Sequence, residues 1–403
     1  MAWTKNVLRV NLTSGSISKE PLNMVWAMQY LGQRGLATKY LVEEIDPKCD
    51  ALSPENKLIM TTGPLTGTMA STAGRYSVVT KSPLTGAIAC SNSGGFFGNE
   101  IKNAGWDMII FEGKAPGPVY LYIEDENAEL SCAKDLWGKS VWETDELIHK
   151  NHQDPLIRVA AVGRAAEKGC LYSAIVNDLH RAAGRSGVGT VMASKNLKAV
   201  AIRGTLGVGN IRDPKGFMQA TEAGKKILAG NAVTGHGLPA LGTQVLMNVM
   251  NELGAMPTRN HREVQYKNAS KISGEAMLEK RETDGRSNLI TNAACFGCTI
   301  ACGRISAVDR GHFAVKDKPE YWGASGGLEY ENAWAFGSDC EIDDLDAMTY
   351  ANFLCNEDGL DPISCGATIA AAMELFDVGA ITTKHTGGVE LKFGSAEAMV
   401  WAV

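Results

Sequence analysis

Short apolar runs stopped by glycine or proline fill the first 210 residues, and this pattern constrains the fold more than any other feature. Runs of β-branched and aliphatic residues bounded by turn formers read as strands. VLRVNL (7–12), then Thr13-Ser14-Gly15, then SISKEPL reads as a hairpin. KLIMTTG (57–63), RYSVVTK (75–81), MIIFEG (108–113), VYLYIE (119–124), IRVAAVG (157–163) and LKAVAIRG (197–204) supply further strands. GPLTG at 63–67 returns as SPLTG at 82–86, each beside such a run, which suggests two related halves within one sheet-rich domain. After Arg212-Asp213-Pro214 the apolar spacing becomes helical, at 216–230, 247–257, 343–359 and 367–379. The expected fold class is therefore α+β: a β-rich domain over 1–210, then a mostly α-helical domain over 211–403.

Composition narrows the function. The chain of 403 residues is 45% hydrophobic and 21% charged, so it can bury large cores. Its net charge of −6, with no basic run, argues against a nucleic-acid partner. The start, MAWTKNVLRVNLTSGS, has no continuous apolar segment before a small-residue cleavage site, and no window is apolar enough to span a membrane. The ten cysteines then read as reduced thiols, and the expected location is cytoplasmic.

Three motifs carry chemistry. Cys295, Cys298 and Cys302 lie in AACFGCTIACGR with C-x2-C-x3-C spacing. Soft thiolates this close favour an iron–sulfur cluster or zinc. Zinc would need a nearby fourth ligand, for which His312 is the candidate, but that spacing matches no usual zinc finger. Free buried thiols explain the crowding beside Gly297 and Gly303 least well. The second motif, SNSGGFFGNE (91–100), is preceded by Arg75 and followed by Lys102. Its glycines would let backbone N–H groups approach an anion, although a tight strand-to-helix turn has the same composition. The third, NDLHRAAGRSGVGTVMASKNLKAVAIRG (177–204), sets Arg181 and Arg185 among Gly184, Gly187 and Gly189. Guanidinium forks over open backbone suit phosphates and polar heterocycles; a solvated basic loop is the alternative.

These motifs, in this order, resemble the aldehyde ferredoxin oxidoreductase family of tungsten enzymes. The likeness runs through VLRVNLTSGSI, NKLIMTTGPLTGT, GRYSVVTKSPLTGAIACSNSGGFFG, NDLHRAAGRSGVGTVMASKNLKA, CFGCTIAC, LEYENAWAFG and CNEDGLD. The cysteine segment together with YWGASGGLEYENAWAFG looks most like the bacterial multi-subunit branch. The resemblance implies a β-rich base on which a bis-pterin tungsten cofactor lies, covered by helical domains. It implies that Arg75 lies between that cofactor and a four-iron, four-sulfur cluster on Cys295, Cys298 and Cys302. Asn92, Ser93, Gly94 and Gly95 would hold one pterin and its phosphates; Arg181, Ala182, Gly184 and Arg185 would hold the other. Backbone carbonyls of Asn92 and Ala182 would bind the Mg²⁺ that bridges the phosphates, a hard cation that takes oxygen ligands. The family's D-x-x-G-L-[CD] pterin motif appears as Asn356, Gly359, Leu360 and Asp361, with Asn in place of its first Asp. Glu331 of LEYE would be the general acid/base, its pKa raised by an apolar-walled site, although a carboxylate at a helix N-terminus needs no catalytic role.

The activity so implied is oxidation of aldehydes to carboxylic acids, with tungsten or molybdenum in the pterin. Electrons would leave through the cluster to a ferredoxin-like iron–sulfur subunit or a flavin/NAD-linked one, in a hetero-oligomer without nucleic acid or membrane. Two alternatives stand beside it: a class II benzoyl-CoA reductase-type catalytic subunit and a truncated, non-catalytic iron–sulfur protein. The segment from Ser395 to Val403 reads as a helix begun and left unfinished. A third helical domain, with the fourth cluster cysteine, is accordingly expected beyond residue 403.

Overall fold

The computed structural model describes residues 2–403. Two compact units divide the chain. One holds the residues up to Ile227 together with Cys295–Thr299 and Glu357–Asp361; the other holds Leu228–Ala294, Ile300–Asn356 and Pro362–Val403. The boundary thus falls inside the helix Pro214–Gly230, and two short loops from later in the chain pack with the first unit.

In the first unit twelve strands form two six-stranded sheets. The first sheet uses β1 (Asn6–Asn11), β2 (Ser16–Pro21), β3 (Leu58–Thr62), β4 (Tyr76–Lys81), β5 (Ile88–Ser93) and β6 (Met108–Glu112), in the order β2-β1-β6-β3-β4-β5. The second uses β7 (Val119–Glu124), β8 (Asn127–Cys132), β9 (Arg158–Ala161), β10 (Ile175–Asn177), β11 (Arg181–Ala183) and β12 (Leu197–Arg203), in the order β8-β7-β12-β9-β10-β11. The two orders are the same. Each half opens with an antiparallel hairpin, and its last strand pairs parallel to the first strand of that hairpin. Each half then adds antiparallel neighbours out to an edge strand, β5 or β11. A helix follows each edge strand: Phe97–Asn103 in the first half, Val188–Ser194 in the second.

The expected two halves are therefore present, but their repeat is topological. GPLTG and SPLTG both lie in the first half, in the turns after β3 and β4. They repeat a turn and do not mark the duplication.

Alternation along the strands places the core. Leu8, Val10, Leu58, Met60, Ile109 and Phe111 join Leu121, Ile123, Val200 and Ile202 in one apolar cluster, which also takes in Phe97, Ile101, Val191 and Met192 from the two helices. The intervening residues Val7, Ile59, Val79 and Ile110 face the other way, against Leu36, Ala37 and Leu41 of the helix Gln33–Glu44. Each fully buried side chain of this size contributes about 1.5–3 kcal/mol. The edge strands are poorer: β5 alternates exposed and buried residues, and β11 has only three.

The second unit is mostly helical, with a small sheet of β13 (Leu289–Ala293), β14 (Gly303–Ser306) and β15 (Ser325–Gly326). The helix Tyr330–Phe336 packs on Pro362–Asp377 at backbone range, since a Cβ on Gly366 would lie 2.7 Å from the Ala335 carbonyl carbon. Leu345–Asp358 opens on Asp344, whose carboxylate accepts the Asp346 and Ala347 amides, and it is buried on nearly every side. The helix Ala396–Ala402 is capped by the Ser395 hydroxyl and buries Met399. Among the described residues no helix is long and apolar enough to cross a membrane.

Candidate functional site

The two glycine-rich motifs occupy equivalent places in the two halves: each follows an edge strand and precedes a helix. Strands β5 and β11 lie side by side, and the Arg185 amide donates to Ser91 Oγ at 3.1 Å across them. Asn92 and Ala182 are each the penultimate residue of their strand. An edge strand leaves one row of backbone groups outside the ladder. One such row runs along each of these two neighbouring edges.

The first loop is held by residues of the second half. Asn177 is fully buried. Its Oδ1 accepts from Ser93 Oγ (2.7 Å) and Tyr76 OH (3.1 Å), and its Nδ2 donates to the Gly94 carbonyl (3.0 Å). Asp178 Oδ2 accepts the Phe96 amide at 2.8 Å. Gly95 has φ +85°, and a Cβ there would lie 2.2 Å from that carboxylate oxygen, so only glycine fits. Asn92 and Arg75 are exposed, joined by an Arg75 Nη1 to Asn92 Oδ1 bond of 2.7 Å. Arg75 also walls a pocket of roughly 310 Å³ with Gly32, Gln33, Gly63, Thr66 and Ser71. Lys102 takes no part: it is fully buried, with Nζ on Asp107 and the Ala2 carbonyl.

The second loop carries cations. Arg181 is half-buried and Arg185 exposed, the latter donating to Asp361 Oδ2 at 3.1 Å. Asp361 is 1% exposed, so the guanidinium is fixed at its inner end and open at its outer one. Asp361 is in turn held by its amide on the Tyr172 carbonyl, and Gly359 by its carbonyl on the Ala174 amide (2.7 Å). Leu360 bridges to Ser173. Arg164 pairs with Glu357 and Asp358, closing the 357–361 loop onto this unit. His180, next to Arg181, is driven down to about 4 by burial first and the Arg181 charge second, so it is neutral at neutral pH.

The cysteine segment 295–299 meets the first loop. The Phe96 and Phe296 rings stand edge to face at 6.5 Å, and the Phe296 amide donates to the Gly95 carbonyl at 3.0 Å. A Cβ on Gly94 would sit 2.7 Å from Cys295 Sγ, so the glycine lets the thiol touch the loop backbone. Cys295 and Cys298 are half-buried thiols in no disulfide, a residue type able to ligate soft metals. Cys302, half-buried and in no disulfide, belongs to the second unit. Among the described residues no three His, Cys, Asp or Glu side chains gather as a site for a metal ion. His312 bonds Asp344 at 3.0 Å; burial opposes its charged form, but that carboxylate outweighs the burial and raises its pKa, so it is engaged elsewhere.

Glu331 and Asn356 lie in the second unit. Glu331 stands in the first turn of Tyr330–Phe336, exposed, with Oε2 accepting the Trp334 indole N–H at 2.7 Å. Asn356 is buried and donates to the Gly326 carbonyl at 3.5 Å. The residues missed by sequence reasoning are Asn177 and Asp178. Their signal was present: they open the 177–204 motif, ahead of the arginines that drew attention.

Residues 7–204 match the family model of the aldehyde ferredoxin oxidoreductase N-terminal domain, and residues 219–403 match that of its domains 2 and 3. The chain belongs to the aldehyde ferredoxin oxidoreductase family. It is 46% identical over 400 residues to the tungsten-containing aldehyde ferredoxin oxidoreductase of Pyrococcus abyssi, covering 98% of this chain and 63% of that relative. The Thermococcus kodakarensis enzyme of the same name is 46% identical over 393 residues, covering 97% and 62%. The aliphatic sulfonate oxidoreductase WOR-like subunit of Pyrococcus furiosus is 29% identical over 415 residues, covering 98% and 63%. The chain thus spans less than two thirds of the length of these family members. Among solved structures, the active site complex BamBC of benzoyl coenzyme A reductase in complex with 1,5-dienoyl-CoA is 28% identical, with a TM-score of 0.83 over 99% of this chain and 59% of that one.

Proposed function

We propose that the chain is the cofactor-binding part of a tungsten-pterin aldehyde oxidoreductase that converts R–CHO and water to R–COOH, two electrons and two protons. The observation that carries this reading is the pair of equivalent loops on adjacent edge strands, one backed by Cys295 and the other carrying Arg185 fixed on Asp361, in a chain of this family. The residues fit the group. Gly94 and Gly95 expose backbone, Arg75, Arg181 and Arg185 offer guanidinium faces for pterin and phosphate, and Asn92 and Ala182 offer carbonyls for Mg²⁺. Cys295, Cys298 and Cys302 would hold a four-iron, four-sulfur cluster.

When bound, the tungsten-pterin group supplies two-electron chemistry at the aldehyde carbon, and the cluster supplies one-electron carriage toward an iron–sulfur or flavin partner. The chain's own residues do the rest. Asn177 and Asp178 hold the first loop in the shape that admits a ligand. Asp361 aims Arg185, which lowers the ordering cost of binding an anion. Glu331, its carboxylate oriented by Trp334, takes and returns a proton at its oxygens.

Aldehyde-dependent reduction of a viologen dye, combined with tungsten and iron analysis of the purified protein, tests the reading. Tungsten, about four irons per chain and aldehyde turnover are expected. Zinc alone would overturn the cluster assignment, and metal-free protein would favour a non-catalytic role. The fold shared with benzoyl coenzyme A reductase supports a second reading, reduction of an aromatic coenzyme A thioester. The 46% identity to aldehyde enzymes, against 28% to that reductase, ranks it lower. Turnover of benzoyl-CoA without turnover of benzaldehyde would reverse the ranking.

A further inference from the structure

Arg259, Asn260 and His261 are three successive non-glycine residues with left-handed backbone, at φ +50°, +50° and +61°. Such a run persists only where its surroundings over-determine it, and strain of this kind gathers where a side chain must be aimed. The clamp is formed by the segment Ser338–Cys340. The Arg259 amide donates to the Ser338 carbonyl (3.1 Å) and the Asn260 amide to the Asp339 carbonyl (3.0 Å). Thr258 and Glu263 exchange both backbone hydrogen bonds across the turn. Arg259 pairs with Glu341 and Asp377, and Arg262 with Glu374 and Asp377. All of these residues belong to the second unit.

The side chain so aimed is that of His261. Asp339 is fully buried; its Oδ1 accepts the His261 amide at 3.0 Å, and His261 Nδ1 stands 3.2 Å from the same oxygen. Asp339 Oδ2 is buried with no partner, so the carboxylate is spent on His261. A carboxylate beside Nδ1 holds the ring proton there and leaves Nε2, at the opposite edge of the ring, as the acceptor. The imidazole is 58% exposed, and among the described residues no hydrogen bond engages Nε2. The ring also meets Trp334, edge to face at 5.7 Å. That same indole donates its N–H to Glu331 Oε2 at 2.7 Å. An imidazole and a carboxylate, both exposed, thus stand on one indole in the second unit.

Aldehyde oxidation releases two protons with each electron pair. A single carboxylate holds one, so Glu331 has to be emptied within every turnover. We propose that His261 is the proton carrier that empties it, with Asp339 as its positioning residue. The inference rests on the role given to Glu331 under Proposed function. Each transfer breaks an O–H bond at Glu331 and forms an N–H bond at His261 Nε2, through intervening solvent. The imidazolium then gives its proton to bulk water, the Asp339 carboxylate stabilises the passing positive charge, and no electron moves.

The test compares aldehyde-dependent viologen reduction by the purified protein with that of His261→Asn, since asparagine tolerates left-handed backbone. His261→Asn is expected to lower kcat at least about tenfold with KM unchanged, and added imidazole, a diffusing carrier, should restore most of the loss. Unchanged kcat, or a loss that imidazole does not restore, overturns the relay and leaves the aldehyde reading intact. A second readout needs no turnover. In ¹⁵N NMR of histidine-labelled protein, the neutral ring of His261 should be the Nδ1–H tautomer, and Asp339→Ala should remove that preference. A wild-type ring without the preference overturns the role of Asp339 and the relay with it. Wild-type protein without aldehyde turnover overturns the reading under Proposed function, and this inference falls with it. Should Asp339→Ala not fold, the wild-type spectrum and His261→Asn, which alters an exposed side chain, decide.

Discussion

The two glycine loops of the first unit share a topology and differ in how they are held. The loop after β5 is neutral, clamped from below by buried Asn177 and half-buried Asp178, and pressed against Cys295. The loop after β11 carries Arg181 and Arg185 and is braced by the buried carboxylate of Asp361. One half supplies shape and lies against Cys295; the other supplies charge. Duplicating a fold places two cradles side by side, and the residues beneath each decide what it does.

The sharpest way to break this comparison is to put the same methyl group in both loops. Gly95→Ala forces φ +85° on alanine and a clash with Asp178, and is expected to cost more than about 3 kcal/mol in denaturant unfolding and to abolish tungsten retention. A Cβ on Gly184 would find its nearest atom, Asp361 Oδ1, at 3.6 Å, so Gly184→Ala should stay within about 1 kcal/mol. Equal losses would mean that the loops are not held differently.

Asn177→Ala removes four hydrogen bonds in a fully buried position and strands the Gly94 carbonyl. A loss of about 2–3 kcal/mol is expected, with faster amide exchange confined to the first loop. Exchange that rises equally in the second loop would contradict the separate clamping.

The second loop should show its own pH dependence through His180. Its folded pKa of about 4 lies below the ordinary 6.5 of the unfolded chain. The unfolded state therefore binds the proton first, and stability falls as pH drops from about 6.5 toward 4, then levels off. The contribution is about 2 kcal/mol after allowance for partial exposure, and His180→Gln should flatten that window. Smallest is Asp361→Asn. With Arg185 more than half exposed, the pair is worth about 0.5–1 kcal/mol to stability, and the variant should chiefly weaken tungsten retention.

Most of the sheet framework was legible because its central strands are continuous apolar runs: LIMTT of β3, MIIFE of β6 and LKAVAIR of β12. The strands that carry the site were not. IACSNS of β5 is half polar, and RAA of β11 is three residues long, because an edge strand needs neither a continuous apolar face nor length. Lys102 read as a neighbour of an anion loop, yet the fold turns it inward onto Asp107. Asn177 and Asp178 look like ordinary turn residues until β10 places them under the other half's loop.

The sequence by itself determined the β-then-α order, the glycine and arginine content of both loops, and the clustering of the three thiols, since strand, turn and soft-ligand chemistry are written in local composition. The tertiary structure alone decided that the halves share one strand order, that β5 and β11 lie side by side, and which buried polar groups hold each loop. Those are long-range pairings, fixed by the burial of alternate strand faces in a common core, and no short stretch of residues contains them.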